Sequence, residues 1–187
     1  MHDLSKPEPI RLKYADLAGI PPDGKRYETL EGSLFMSPSP TSGHQVIVGN
    51  LHWELRTFVQ SRHLGKVLLS LLDVELEDFT VVEPDLIFIT ERNAAIIQES
   101  HVRGVPDLLV EVVSPTSRNR DLREKRNIYA RVGVPHDWIV DIEERVIWEL
   151  ALTDGAYALA SEARGDAIFR PAMFTGLELT LASLWKV

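Results

Sequence analysis

Three positions in the chain combine a reactive side chain with an apolar setting. Glu111 lies inside Leu108-Leu109-Val110-Glu111-Val112-Val113. A strand has a side-chain period of two, which puts Glu111 on one face with Leu109 and Val113. An unpaired carboxylate there would be costly or would neutralise itself. The position therefore calls for a cation, a metal or a backbone group to cap. Asp85 follows Glu83-Pro84 and opens Leu86-Ile87-Phe88-Ile89. Proline suits the start of a strand, and Asp85 shares a face with Ile87 and Ile89 unless it stays a solvated strand-start acid. Lys125 falls in a helical stripe with Leu122, Tyr129 and Val132. A lysine on a core-facing stripe needs an anionic partner, or snorkels out, or pairs with Asp121 four residues earlier.

Two carboxylates on neighbouring strands suit one hard divalent cation, because magnesium favours oxygen ligands and keeps several of its waters. A lysine from a covering helix would then orient a water or help deprotonate it. Together these parts make an apparatus for metal-assisted phosphodiester hydrolysis.

Positioning them takes a layered domain. A proline-bearing arm, residues 1–25, holds one helical turn near Tyr14–Ala18. Residues 26–187 read as a single domain. Tyr27–Leu30 and Ser33–Met36 read as strands about an Glu31-Gly32 turn. Pro38 to Ser42 offers caps for a helix from Thr41 to Arg62, whose apolar positions Ile47, Leu51, Leu55, Phe58 and Val59 recur at steps of three and four, and Gly65 ends it. Lys66–Leu76, Val81–Thr90 and Pro106–Val113 read as strands. Ser114–Ser117 caps a second helix, Asn119–Val132, closed by Gly133. Strands His136–Ile142 and Arg145–Leu150 follow, then a strand near Tyr157 and an apolar tail. A strand apolar on both faces, such as 107–113, belongs inside a covered sheet. The class is α/β with a mixed sheet.

Composition narrows the chemistry. The 187 residues hold no cysteine, which removes disulfides, thiolate metal sites and cysteine nucleophiles. The net charge of -8 and pI near 5.2 exclude a general polyanion binder, so nucleic acid would need a local basic patch. No glycine-rich phosphate loop and no G-x-S-x-G elbow is present. With no apolar run of spanning length and no signal-type segment at its N-terminus, the protein is expected in the cytoplasm, away from membranes.

The run Glu83-Pro84-Asp85, Pro106-Asp107 through Pro115, Asp121, Lys125, Tyr129, Gly133 and Trp138-Ile139-Val140-Asp141 resembles the Uma-two family, restriction-endonuclease-like proteins of the PD-(D/E)XK superfamily. Tyr27-Glu28, Leu30-Glu31-Gly32, Ser37-Pro38-Ser39-Pro40 and His44 are similar to that family's opening. The resemblance spans about residues 25–182. It implies a restriction-endonuclease-like core with a central mixed sheet flanked by helices, and Asp85 and Glu111 as metal ligands. The superfamily's lysine two residues after the glutamate is replaced here by Val113. The resemblance implies that the lysine has moved to the following helix, where Lys125 lies.

Other residues are secondary candidates. His44, in the first helical turn, is either a phosphate-orienting group or base, or a satisfied core histidine. Asp73 shares a face with Val67, Leu69 and Leu71 on the strand before Asp85, as an extra metal ligand or an exposed strand-end acid. Glu28 and Glu31 read as solvated turn acids. Arg118, Arg120 and Arg123, in the basic stretch to Arg126, are candidate phosphate contacts, or simply a solvated helix face. The leading expectation is a magnesium- or manganese-dependent endonuclease acting on DNA, with Asp85, Glu111 and Lys125 catalytic. The alternative is a non-catalytic interaction or DNA-binding module that keeps the fold. The acidic chain and apolar tail permit a homodimer without requiring one.

Overall fold

A computed structural model describes residues 10–20, 25–37, 39–113, 118 and 120–186, without the side chains of Arg120 and Asp121. The capping segment Ser114–Ser117, the expected helix start at Asn119, and residues 1–9 and 21–24 of the arm lie outside the described residues. In chain order the strands are β1 (Arg26–Leu30), β2 (Ser33–Ser37), β3 (Gly65–Leu69), β4 (Val74–Glu77), β5 (Thr80–Val82), β6 (Leu86–Thr90), β7 (Val102–Arg103), β8 (Leu108–Val113), β9 (His136–Asp141), β10 (Val146–Thr153), β11 (Ala156–Arg164), β12 (Ile168–Phe169) and β13 (Leu179–Thr180). The helices are α1 (Tyr14–Leu17), α2 (Ser42–Ser61), α3 (Arg126–Val132) and α4 (Leu181–Leu184).

The six-stranded sheet runs β11-β10-β9-β8-β6-β3. β3 and β6 are antiparallel, as are β6 and β8, whereas β8 and β9 are parallel. This is the expected mixed sheet. Its chain order of helix, three strands, helix and strand is supplied by α2, β3, β6, β8, α3 and β9.

Two expected strands break instead of running through. Lys66–Leu76 divides at residues 70–73 into β3 and β4, and Val81–Thr90 divides at residues 83–85 into β5 and β6. Pro84 has no N–H to give a ladder, so the chain leaves one sheet there and enters another. The result is a second sheet, β2-β1-β5-β4-β7. Asp73 accordingly lies in the loop before β4, not on a strand beside Leu69.

Thr41 caps α2, its side chain accepting the His44 N–H at 3.2 Å. The apolar face of α2 packs with Leu86, Phe88, Leu108, Val110, Val112 and Trp138 on one side of the large sheet. Phe169, Phe174, Leu179 and Leu181 of the tail join that cluster, so the tail's apolar side chains are used inside this chain. On the other side, Ile87, Ile89 and Leu109 meet Tyr129 of α3 and Leu30, Val74 and Val82 of the small sheet. The large sheet is thus covered on both faces.

Two glycines act at different points from their sequence signals. Gly133, at φ 89, closes α3 as expected. Gly65 does not end α2: His63, at φ 54, makes that left-handed turn. At Gly65 a Cβ would lie 2.1 Å from the Ile89 carbonyl oxygen, so glycine there lets β3 approach β6.

Candidate active site

β8 carries Glu111 on the face that looks toward α3. The neighbouring strand β6 begins one residue after Asp85. Leu86 pairs with Val110, and the Asp85 N–H donates to the Val110 carbonyl at 3.0 Å, which sets Asp85 across from Glu111. The Val112 N–H then donates to Asp85 Oδ2 at 2.8 Å. The carboxylate takes the place of the next backbone acceptor, so the ladder ends on a charged side chain.

α3 follows a wide π-type turn over Arg120–Lys125. Lys125 is 1% exposed and Tyr129 is fully buried, as the stripe argument requires. The Lys125 amine lies 3.0 Å from Glu111 Oε1 and 2.7 Å from Glu28 Oε1. The Tyr129 hydroxyl donates to Glu111 Oε1 at 2.6 Å. Burial and the Glu111 charge raise the phenol well above its ordinary value, so it remains a donor. Glu28 also accepts the Glu83 N–H at 2.9 Å. One ammonium therefore bridges two buried carboxylates, each of which has a further donor.

Asp85 has its own set of partners. Arg26 Nη1 lies 3.2 Å from Asp85 Oδ1. His44 Nε2 is 3.0 Å from the Val112 carbonyl oxygen and 3.4 Å from Asp85 Oδ2. Burial pushes the Asp85 carboxyl up, but His44, Arg26 and the Val112 N–H outweigh it and hold the group below the usual carboxylate range. Glu83, beside this set, is pushed up to about 7 by burial and by the charge of Asp73.

A family model described as "Uma2: Putative restriction endonuclease" matches residues 13–182. The chain belongs to the Uma2 family. A solved structure from Anabaena variabilis ATCC 29413, described as "a putative nuclease belonging to DUF820", is similar in fold, with a TM-score of 0.75. It is 16% identical, and the match covers 93% of this chain and 97% of that one. The fold is therefore restriction-endonuclease-like, a mixed sheet with flanking helices. No curated protein matches the sequence.

In this Uma2 chain Glu111 and Lys125 meet directly, and Asp85 sits across the strand pair from Glu111. His44 is 7% exposed and is held against β8. Asp73 turns to Glu83 and shares a hydrogen bond with it. Among the described residues no three acids or histidines form a set able to hold a metal ion, so Asp73 does not complete one with Asp85 and Glu111. Arg118 is ion-paired with Asp141, which is 1% exposed. Arg123 is exposed. The Arg120 side chain lies outside the described residues. Among the described residues of the basic stretch, Lys125 is buried and Arg118 is paired with Asp141.

Two residues of the network, Arg26 and Tyr129, were not among the expected site residues, and Glu28 was only a secondary candidate. Glu28 was expected to be a solvated turn acid, yet it is 2% exposed. The signal was present in the strand period. Leu30 is a core residue, and stepping back by two places Glu28 and then Arg26 on the same face. Glu31, at the turn itself, is exposed as expected.

The donor set suits a hard divalent cation. Asp85 and Glu111 offer carboxylate oxygens on adjacent strands, and the charges of Asp85, Glu111, Glu28 and Glu83 all act on Arg26. Two protein carboxylates with waters filling the other positions are an ordinary magnesium arrangement.

Proposed function

We propose that the chain is a magnesium- or manganese-dependent endonuclease that hydrolyses phosphodiester bonds of nucleic acid, with DNA as substrate, in the cytoplasm. The observation that carries this reading is the buried Lys125 amine, fixed at 3.0 Å from Glu111 and 2.7 Å from Glu28. A lysine held between acids and lodged in a restriction-endonuclease-like core has the ingredients for proton handling beside a phosphate. Asp85 and Glu111 would hold the cation. When bound, that ion polarises the phosphate and lowers the pKa of water.

The protein side chains do the rest. Lys125 donates toward the attacking water or the charge that builds on the phosphate oxygens, and Glu28 and Tyr129 fix the geometry of the amine and of Glu111. His44 and the Val112 N–H orient Asp85. Preorganised donors of this kind act on the developing charge with little reorganisation.

The test is nicking of supercoiled plasmid and of a labelled RNA, with magnesium, manganese or EDTA. Wild type should nick DNA only with a divalent ion, and Glu111→Gln should not. Cleavage of RNA alone would overturn the DNA assignment. No cleavage of either by pure wild type would favour the non-catalytic module.

A further inference from the structure

Arg26 occupies an unusual position for a cation that the proposed chemistry does not use. It opens β1 two residues before Glu28, and the strand period turns both inward. Its side chain is 13% exposed. Nη1 reaches Asp85 Oδ1 at 3.2 Å, and Nη2 donates to the Glu83 carbonyl oxygen. Nε lies 3.5 Å from Glu83 Oε2, without a hydrogen-bond partner. Burial lowers the pKa of the guanidinium, but Asp85, Glu111, Glu28 and Glu83 together more than reverse that. Lys125 lies between Glu28 and Glu111.

The two oxygens of Asp85 differ in what holds them. Oδ2 accepts a backbone N–H from β8 and lies near His44, so its partners are fixed by the sheet and by α2. Oδ1 is held by the end of a long, rotatable side chain. A divalent ion taken up by Asp85 and Glu111 must contend with that guanidinium for the oxygen and must also enter its positive field. Two cations at contact distance repel each other even at the effective dielectric of a protein surface.

We infer that Arg26 is a built-in competitor for the divalent cation, neutralising the acids on Asp85 Oδ1 and giving way when the ion binds. The inference rests on the metal reading of the preceding subsection. It means that the ion's apparent affinity is lower than its carboxylates would provide, by the fraction of molecules in which the guanidinium has moved away.

The experiment is a calorimetric titration of manganese into wild type, Arg26→Gln, Arg26→Lys and Glu111→Gln. Melting curves are recorded with and without the ion. Arg26→Gln should bind manganese about tenfold more tightly or better. Its melting temperature should rise more on adding the ion than that of wild type. Arg26→Lys should fall between the two, since its ammonium keeps the charge but lacks the planar fork.

Equal or weaker binding by Arg26→Gln, with binding lost in Glu111→Gln, overturns the competitor role and leaves the metal reading intact. An isotherm identical in wild type and Glu111→Gln defeats the metal reading, and this inference with it. Circular dichroism reports whether Arg26→Gln folds. If it does not, Arg26→Lys binding no more tightly than wild type overturns the inference.

Discussion

Two carboxylates are buried in the large sheet, Glu111 on β8 and Glu149 on β10, two strands separated by β9. Glu149 is wholly buried. It accepts the backbone N–H groups of Ala172 and Met173, the latter at 2.9 Å, and lies 3.1 Å from His136 Nδ1. Those partners fasten the tail to the sheet. Glu111 is bound instead by side chains, Lys125 and Tyr129, with the acids Glu28 and Asp85 close by. Burial of a carboxylate therefore does not mark a reactive centre. The proposed site is distinguished by acids gathered around rotatable cationic side chains. Backbone donors, by contrast, satisfy an acid permanently.

The comparison breaks most easily at Lys125. Lys125→Ala leaves Glu28 and Glu111 buried without their shared cation, which should cost about 3–5 kcal/mol in urea unfolding. Where circular dichroism still shows the folded protein, plasmid cleavage should fall about 10²–10⁴-fold, the usual contribution of a positioned proton-transfer group. Glu149→Gln should cost only about 1–3 kcal/mol and keep cleavage near the wild-type rate. A Glu149→Gln variant as inactive as Lys125→Ala would erase the distinction between the two acids.

Much of this contrast could be read along the chain. Glu111 stands out because five apolar residues surround it in one strand, and Lys125 because its stripe includes Tyr129. Period and burial are local properties, and they carried the large sheet, α2 and the inward aim of the lysine. The second sheet was less legible. Whether Lys66–Leu76 is one strand or two depends on which partner strand each half meets, and Pro84 was the clearest local mark of such a break. Glu28 was hidden by its place beside a turn, where acids are usually solvated, although Leu30 fixed its face. The partners of Arg26 and Arg118 lie 59 and 23 residues away, at Asp85 and Asp141, and only the folded chain brings such pairs together.

A finer contrast lies in pH dependence, measured in EDTA. Burial pushes Glu149 up, but hydrogen bonds from His136, Met173 and Ala172 hold it below its ordinary value of 4.5. Its folded pKa lies under its unfolded one, so its stabilisation is complete above about 4.5 and fades as pH falls through the folded value. Glu83 behaves oppositely. Its folded pKa is about 7, against an ordinary 4.5, so the folded protein keeps a proton that the unfolded chain releases. Its contribution therefore falls as pH rises from 4.5 to about 7. In melting temperature against pH, Glu83→Gln should flatten the decline in that window, and Glu149→Gln should flatten the acid limb instead. Identical profiles for both variants would mean that neither environment sets the pH response.

The smallest expected effect separates Arg118, which precedes the π-type turn, from Arg123, which lies within it. Arg123 is exposed and free to meet a phosphate, whereas Arg118 is paired with buried Asp141. Each neutralised phosphate adds about −0.9 to the slope of log affinity against log salt. Arg123→Glu should therefore flatten that slope by about one unit and weaken binding alike on all sequences, with little change in melting temperature. Arg118→Glu should mainly lower the melting temperature, since it sets a second negative charge against Asp141. Binding is measured on calcium-loaded protein from low to physiological salt, beside melting curves for each variant. The outcome that sinks the assignment is a slope set by Arg118 and untouched by Arg123, because it would require the Asp141 pair to open on nucleic acid and would move the contact surface to the end of β9.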